Sequence, residues 1–452
     1  MARRTFRGGV HPEEHKDRTA GRSVETMPLP GRVVLPLRQH LGAPAKAVVK
    51  VGQRVAEGEV VAEAGGYVSA PIHAPIAGEV TAIARHRHPG GFTTDAVVIE
   101  AREAPPADAP EGASWPPEPV RMPPLDPDRA SPEDLRNRVR DAGIVGLGGA
   151  TFPTHVKLAP PPEKPVDTLV INGAECEPYL TCDHRVMLEE TDLVVDGIRI
   201  LRRILGVDRV LVGIEDNKPD AIDRLSAAFA GDPAVSVQAC RVKYPQGAEK
   251  QLIRALTGRV VPAPPGLPMD VGVVVQNVAT AAAVSRAVRQ GIPLIERVVT
   301  VSGPSIAEPK NLRVRIGTPL ADLVASCGGL TSPPGRVVMG GPMMGVAQVD
   351  LEVPVVKGSS GFLFLPAPSE EELWPGPCLR CGRCVDICPL GLAPAIIAWH
   401  LEAGDLDGAE RLHVRDCMEC GSCAWVCPAD RYLVQWFRIA KARLHERNNQ
   451  HR

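Results

Sequence analysis

Two runs near the C-terminal end, CLRCGRCVDICP and CMECGSCAWVCP, share a single spacing, C-x2-C-x2-C-x3-C-P. They place Cys378, Cys381, Cys384 and Cys388 before Pro389, and Cys417, Cys420, Cys423 and Cys427 before Pro428. Three thiolates so spaced on a tight turn can reach three irons of a cubane, while the fourth cysteine, launched on the following helix, reaches the other cluster. The spacing therefore predicts two 4Fe-4S clusters with crossed ligands. One takes Cys378, Cys381, Cys384 and Cys427; the other takes Cys388, Cys417, Cys420 and Cys423. Zinc knuckles, the competing reading, have no need of four cysteines twice at an identical offset followed by Pro. The remaining cysteines, Cys176, Cys182, Cys240 and Cys327, lack such spacing and read as small core residues.

A chain of 452 residues with clustered, regularly spaced cysteines suits a metal site in a reducing compartment better than a disulfide framework. Its opening, MARRTFRGGVHPEEHK, places Gly, His and Glu where a secretory signal carries an apolar stretch, so export is not expected. Lys plus Arg (51) nearly cancel Asp plus Glu (53), which leaves no basic field for a phosphate backbone and argues against nucleic acid as a partner. Nor does any window reach the ~18 apolar residues of a spanning helix, VGVVVQNVATAAAV being broken by Gln276 and Asn277. Any membrane link is expected to run through another protein.

The expected fold class is multidomain, α/β and α+β. Residues 1–104 carry short β-branched runs between Gly and Pro and read as a β barrel-sandwich; VGQRVAEGEVVAE and SAPIHAPIAGEV resemble biotinyl and lipoyl domains. That family carries its cofactor on a lysine at a hairpin tip. The corresponding tip, Ala62 to Gly66, has none, so the module is expected to be structural. Nine prolines between Pro105 and Pro127 mark a linker over 105–130. From Ser131, an N-cap followed by Pro132 and acidic residues, strands (TLVING, VLVGIE, VGVVVQN) alternate with helical patterns, predicting an α/β domain over 131–292. Residues 293–368 read as a β-grasp unit similar to soluble-ligand-binding β-grasp (SLBB) domains. Residues 369–452 read as a two-cluster, ferredoxin-like helical domain.

A glycine-rich stretch, GIVGLGGATFPTHVKL, follows the helix that starts at Ser131 and brings Gly146, Gly148, Phe152 and Lys157. Such glycines let a backbone approach a bound group, and a lysine can neutralise a phosphate. INGAECEP adds Asn172, Glu175 and Glu177; KYPQGAEK adds Tyr244, Gly247 and Glu249; QNVAT adds Asn277 and Thr280. At strand C-terminal ends in an α/β sheet, such polar groups point into the ligand crevice.

In this order the motifs resemble the flavin- and NADH-binding subunit of respiratory complex I. The resemblance implies FMN on Gly146, Gly148, Lys157, Asn172, Glu175, Gly247, Glu249, Asn277 and Thr280, with NADH stacking on Phe152 and meeting Glu177. Thr151 stands where that family has a glycine, and Ala174 where it has an aspartate. Over nearly the whole length, FRGGVHP, PLRQHLGAPA, ECEPYLTCDHRVM, GGPMMG and CPADRYLVQWFRIAKARL look like the C subunit of the Rnf ion-translocating electron transport complex. This likeness implies a peripheral subunit on the cytoplasmic face of the cell (inner) membrane. It would pass electrons from NADH through FMN and two 4Fe-4S clusters to a ferredoxin-like partner subunit, and indirectly to ferredoxin, with Na+ or H+ transport residing in the other subunits. Two alternatives stay open: a flavin and iron-sulfur cobalamin reductase of a microcompartment, and a cluster-bearing relay scaffold without its own flavin.

Overall fold

Four runs of β-branched and small apolar residues form a parallel sheet, which must be covered on both faces because its strands are joined by helical crossovers. They are Thr168–Gly173, Arg209–Glu215, Val235–Cys240 and Val273–Asn277. In space the first strand lies between the second and the fourth, and the third is at the edge. The chain thus leaves the first strand to one side, through Thr191–Leu205 and Pro219–Ala228, and returns to its other side through Glu249–Thr257. Such a reversal opens a crevice at the strands' C-terminal ends. Here it falls between Asn172 and Asn277, which are paired in register.

The computed structural model describes residues 4–102, 116–369 and 373–450. Within them the α/β alternation read from the sequence is present, with two additions. The edge strand Val235–Cys240, VSVQAC, is only half-buried and carries Ser236 and Gln238, so it lacks the continuous apolar run of its neighbours. The helix Cys182–Glu189 is too short and too weakly amphipathic for periodicity to reveal. The Ser131 start forms a capping box, Ser131 accepting from the Asp134 N–H and Asp134 reaching back to the Ser131 N–H.

The barrel strands run from Arg32 to Glu100 in two sheets, around Val33, Leu35, Val61, Ile72, Val97 and Ile99. Residues 4–26 lie outside those sheets. Arg4 and Val10 bridge to Cys240 and Tyr244, and Glu25–Thr26 adds a parallel strand beside Lys310–Arg315. This N-terminal strap therefore crosses the α/β domain and joins the β-grasp sheet. In that sheet Glu296–Ser302, Lys310–Arg315, Arg336–Met339, Val346–Gln348 and Gly361–Leu365 pack Val299, Val301, Phe362 and Phe364 against helix Leu320–Ser326. The second half of the proline-rich segment is pinned, with Val120 bonded to Glu57, Met122 to Gly291 and Leu125 to Val288. Residues 103–115 of the expected linker lie outside the described residues. After Arg383 the chain is helical, and Leu433–Gln450 packs Leu433, Phe437, Ala440 and Leu444 against Ile397, Leu401 and Val414.

Domain junctions use buried cations as clamps. The Lys357 ammonium donates to Pro71 O of the barrel and Gly143 O of the α/β domain, at 2.7 Å each, and Arg297 donates to Leu147 O and Lys357 O. Burial pushes the Lys357 amine down to about 7.

Helices Thr191–Leu205 and Val278–Gln290 approach so closely that a Cβ on Gly197 would overlap the Ala281 carbonyl. The Gly197→Ala variant is expected to lose roughly 1–3 kcal/mol through overpacking, read as a lowered thermal midpoint. An unchanged midpoint would mean that the two helices can separate without cost.

Candidate functional site

The glycine-rich loop sits over the start of helix Val278–Gln290, where the helix dipole favours negative charge. Asn277 caps that helix, its side-chain oxygen accepting from Ala279 N at 2.9 Å and Thr280 N at 3.3 Å. Thr280 Oγ1 in turn accepts from Leu147 N at 2.9 Å and anchors the loop. A Cβ on Gly148 would lie 3.3 Å from the Asn277 Cβ, a tight contact that favours glycine there. Gly146 N donates to Phe152 O at 2.9 Å, closing the loop on a half-buried Phe152. Thr151 adopts a positive φ of 50°, a conformation that favours glycine. It is held by Leu41 of the barrel, whose N–H donates to Thr151 O.

The other motifs converge on the same crevice. Asn172 Nδ2 donates to Gly247 O at 2.8 Å, and Gly247 N donates to the Cys176 sulfur. Lys157 Nζ donates to Glu249 Oε1 at 2.7 Å and to Val275 O at 3.3 Å. Glu175, at φ 49°, accepts from Asp183 N and His184 N and so caps helix Cys182–Glu189. Glu177 reaches across to the β-grasp unit and accepts from Met343 N at 3.1 Å and Met344 N at 2.9 Å, in the GGPMMG loop. All nine residues expected to hold flavin thus border one region, where several of them are engaged with each other. Phe152 is tied to the same loop, and Glu177 forms the wall toward the β-grasp unit.

Sequence reasoning missed Asp183. Its carboxyl accepts from Asn277 Nδ2 at 2.6 Å, and burial together with the Glu175 charge pushes it above the usual carboxylate range. Neither its type nor its place in TCDHR marks it, because its partners come from distant strands. Gln246 and Gln276, both buried, have side-chain amide atoms without a hydrogen-bond partner among the described residues. Buried amides of this kind are costly unless something pairs them. A glycine loop over a helix N-terminus, a lysine, and unsatisfied amides fit a phosphate-bearing polar cofactor such as FMN.

The cysteine motifs repeat a backbone conformation as well as a spacing. Arg380 and Glu419 have φ 55° and 59°, Gly382 and Gly421 have 78° and 80°, and Gly391 and Asp430 have 71° and 47°. Equivalent turns therefore present equivalent thiols. The Cys384 thiol feels the charges of Cys427 and Cys381, whereas Cys423 feels Cys417, Cys420 and Cys388 before it feels Cys384. Burial raises the Cys423 and Cys417 thiols, so in the absence of iron they hold their protons. Cys378 and Cys381 lie nearer the surface than Cys384, Cys420 and Cys423.

A buried contact joins the two regions. Tyr244, from the loop that also carries Gly247, donates its hydroxyl to Cys420 O at 2.7 Å and packs with Val10, Cys176, Ile387 and Met418. Beside it Gly9 N donates to Ile387 O at 2.7 Å.

Comparison with known proteins agrees with this layout. Residues 139–286 match the Nuo51 FMN-binding domain, 4–104 the RnfC barrel sandwich hybrid domain, 298–347 the SLBB domain and 372–429 the 4Fe-4S dicluster domain. The chain is 48% identical over 443 residues to the C subunit of the proton-translocating ferredoxin:NAD(+) oxidoreductase complex of Clostridium ljungdahlii, covering 97% of this chain and 94% of that one. It is 45% identical to the Na(+)-translocating counterpart of Acetobacterium woodii, covering 97% and 96%. To the C subunit of the ion-translocating oxidoreductase complex of Rhodobacter capsulatus it is 47% identical, covering 98% and 84%. Among solved structures, an NAD+-reducing [NiFe]-hydrogenase in its H2-reduced state matches with a TM-score of 0.50 at 20% identity, over 70% of this chain and 62% of that one, a likeness of fold.

Burial outweighs the two N–H donors on Glu177 and pushes its carboxyl from an ordinary 4.5 up to about 7. The folded chain then holds a proton that the unfolded chain releases, so stability from this group is full below about pH 4.5 and is lost as pH rises towards about 7. Glu177→Gln removes that loss. The melting temperature of the variant relative to the unsubstituted chain should rise between about pH 5 and about pH 8. A difference independent of pH would show that Glu177 is ionised throughout.

Proposed function

The chain belongs to the family of C subunits of Rnf-type ion-translocating ferredoxin:NAD(+) oxidoreductase complexes, and from that premise we propose a specific relay within it. Phe152 and Glu177 would receive NADH, the residues along the crevice between Asn172 and Asn277 would hold FMN, and the eight motif cysteines would hold two 4Fe-4S clusters supplying one-electron carriers toward a partner subunit. The Tyr244 to Cys420 contact carries this reading, because it holds the Cys420 turn, which we assign to the cluster on Cys388, Cys417, Cys420 and Cys423, against the loop that also carries Gly247. The cluster on Cys378, Cys381, Cys384 and Cys427 is then the exit, with Cys381 exposed. Bound FMN supplies the conversion between a two-electron hydride donor and one-electron clusters.

The chain's own groups have distinct tasks. Lys157, Gly146 and Gly148, with the helix start capped by Asn277, hold the phosphate; Asn172, Glu175, Gly247, Glu249 and Thr280 shape the rest of the cradle. Phe152 offers a face to the dinucleotide, and Glu177 faces it from the β-grasp side. No helix among the described residues is long and apolar enough to cross a membrane, so ion movement belongs to other subunits of the complex. We place the chain on the cytoplasmic face of the cell membrane, where NADH is available, with a ferredoxin-like iron-sulfur subunit as its acceptor.

Anaerobically purified chain should carry about eight irons and one FMN, and NADH should bleach the flavin rapidly. Eight irons with no flavin and no response to NADH would leave a cluster wire alone. Lys157→Ala should lower FMN retention while the iron content stays intact, since it also leaves the Glu249 carboxylate unpaired beside the phosphate. Loss of iron and flavin together would point to misfolding instead. Cys427→Ser should damage the cluster held by Cys378, Cys381 and Cys384; damage confined to the Cys417 half would overturn the crossed ligation.

A further inference from the structure

The loop that presents Glu175 and Glu177 is gripped from behind by a side chain far away in sequence. Lys16, in the N-terminal strap, donates to Glu175 O and Glu177 O at 2.9 Å each and to Leu180 O, which uses all three of its ammonium hydrogens. Next to it the buried Lys218 donates to Ala174 O at 2.7 Å. Carbonyls 174, 175, 177 and 180 thus face two cations, the half-buried Lys16 and the buried Lys218, on one side of the loop. On the other side the Glu175 and Glu177 carboxyls reach the N–H groups of Asp183, His184, Met343 and Met344.

The strap is itself fastened around Lys16. Tyr179 N donates to Glu14 O at 2.8 Å, the His15 ring stacks on Tyr179 at 4.6 Å, Asn217 donates to the Glu14 carboxylate at 2.7 Å, and the Thr19 and Thr181 hydroxyls meet at 2.8 Å. The loop needs such support, because Glu175 and Tyr179 both hold positive φ, 49° and 68°, at roughly 1 kcal/mol or more each. Burial and the Lys218 charge lower the Lys16 amine from its ordinary value, so holding this cation costs free energy.

We propose that Lys16 is a positioning residue of the NADH and flavin site, fixing the loop of Glu175 and Glu177 and placing a positive charge beneath it. The proposal rests on the relay described above. A cofactor that accepts a hydride gains negative charge, and a half-buried cation nearby favours the reduced form. The strap thereby becomes part of the redox site, although none of its residues lines the crevice between Asn172 and Asn277.

Lys16→Met in the full chain, with both clusters assembled, is the test. A cavity of about 250 Å³, lined by Lys16, Cys176, Glu215 and Tyr244, adjoins the site and lets water reach the carbonyls that the variant frees. The iron and FMN contents should match the unsubstituted chain. The flavin midpoint potential should shift to more negative values in a spectroelectrochemical titration, and KM for NADH should rise about tenfold, the size of one lost charged hydrogen bond, with kcat changed less. An unshifted potential and KM would overturn the proposal while leaving the relay standing. Absence of FMN or of NADH response in the unsubstituted chain would instead overturn the relay. Should Lys16→Met lose iron and flavin together, Lys16→Gln, which keeps a donor without the charge, is read by the same criteria. Loss of both cofactors in that variant as well would make Lys16 a strut for the fold and overturn the positioning role.

Discussion

Two strands ending side by side at Asn172 and Asn277 set the position of everything else in the redox site. Parallel pairing puts both C-terminal ends at one edge of the sheet, and the reversal in strand order keeps any crossover helix from covering the gap between them. Asn277 then does three jobs with one side chain: it caps a helix, touches the Asn172 carbonyl at 3.4 Å, and holds the Asp183 carboxyl. The glycine-rich loop is hung on the same helix through Thr280. Moving either strand by one residue would turn these side chains to the opposite face of the sheet.

Much of this layout was legible in the sequence because it depends on local chemistry. The cysteine motifs are readable since ligand spacing is a property of a single turn, and the same positive-φ positions recur in both copies. Ser131, Pro132 and Asp134 announced their helix in the same way. Strands Thr168–Gly173, Arg209–Glu215 and Val273–Asn277 were readable from continuous apolar runs, as expected where both faces are covered. Val235–Cys240 was not, because an edge strand exposed on one side needs no such run. The roles of Asp183, Lys16, Lys218, Lys357 and Arg297 were hidden for a different reason. Each is a charged residue held, buried or half-buried, against partners brought together only by the tertiary fold, and no spacing rule describes them.

Those cations share one design. Lys16, Lys218, Lys357 and Arg297 all donate to main-chain carbonyls, and the carbonyls belong to loops where separate domains meet or where the crevice is lined. A loop between domains cannot satisfy its carbonyls by secondary structure, and burying them unpaired costs about as much as a lost hydrogen bond. A long side chain ending in several donors can satisfy two or three at once. The cost is desolvation of the charge, visible in the lowered Lys16 and Lys357 amines. The fold accepts it at the junctions of barrel, α/β and β-grasp units.

The same reasoning explains why the strap and the cluster domain meet the α/β domain at one place. Relay between a flavin and a cluster needs their protein surroundings to be held rigidly, and a hinge between domains would defeat this. Tyr244 is 2% exposed, bonds to Cys420 O, and lies beside Val10, while Gly9 bonds to Ile387 O and a Cβ on Gly8 would crowd the Ile387 and Cys388 carbonyls. The strap therefore fills the seam between the two redox units, with its first residues against the cluster loops and Lys16 against the loop of Glu175 and Glu177. A segment hydrogen-bonded to both sides of the transfer step, at Gly9 and at Lys16, couples their geometry, so a displacement at one end is felt at the other along the strap.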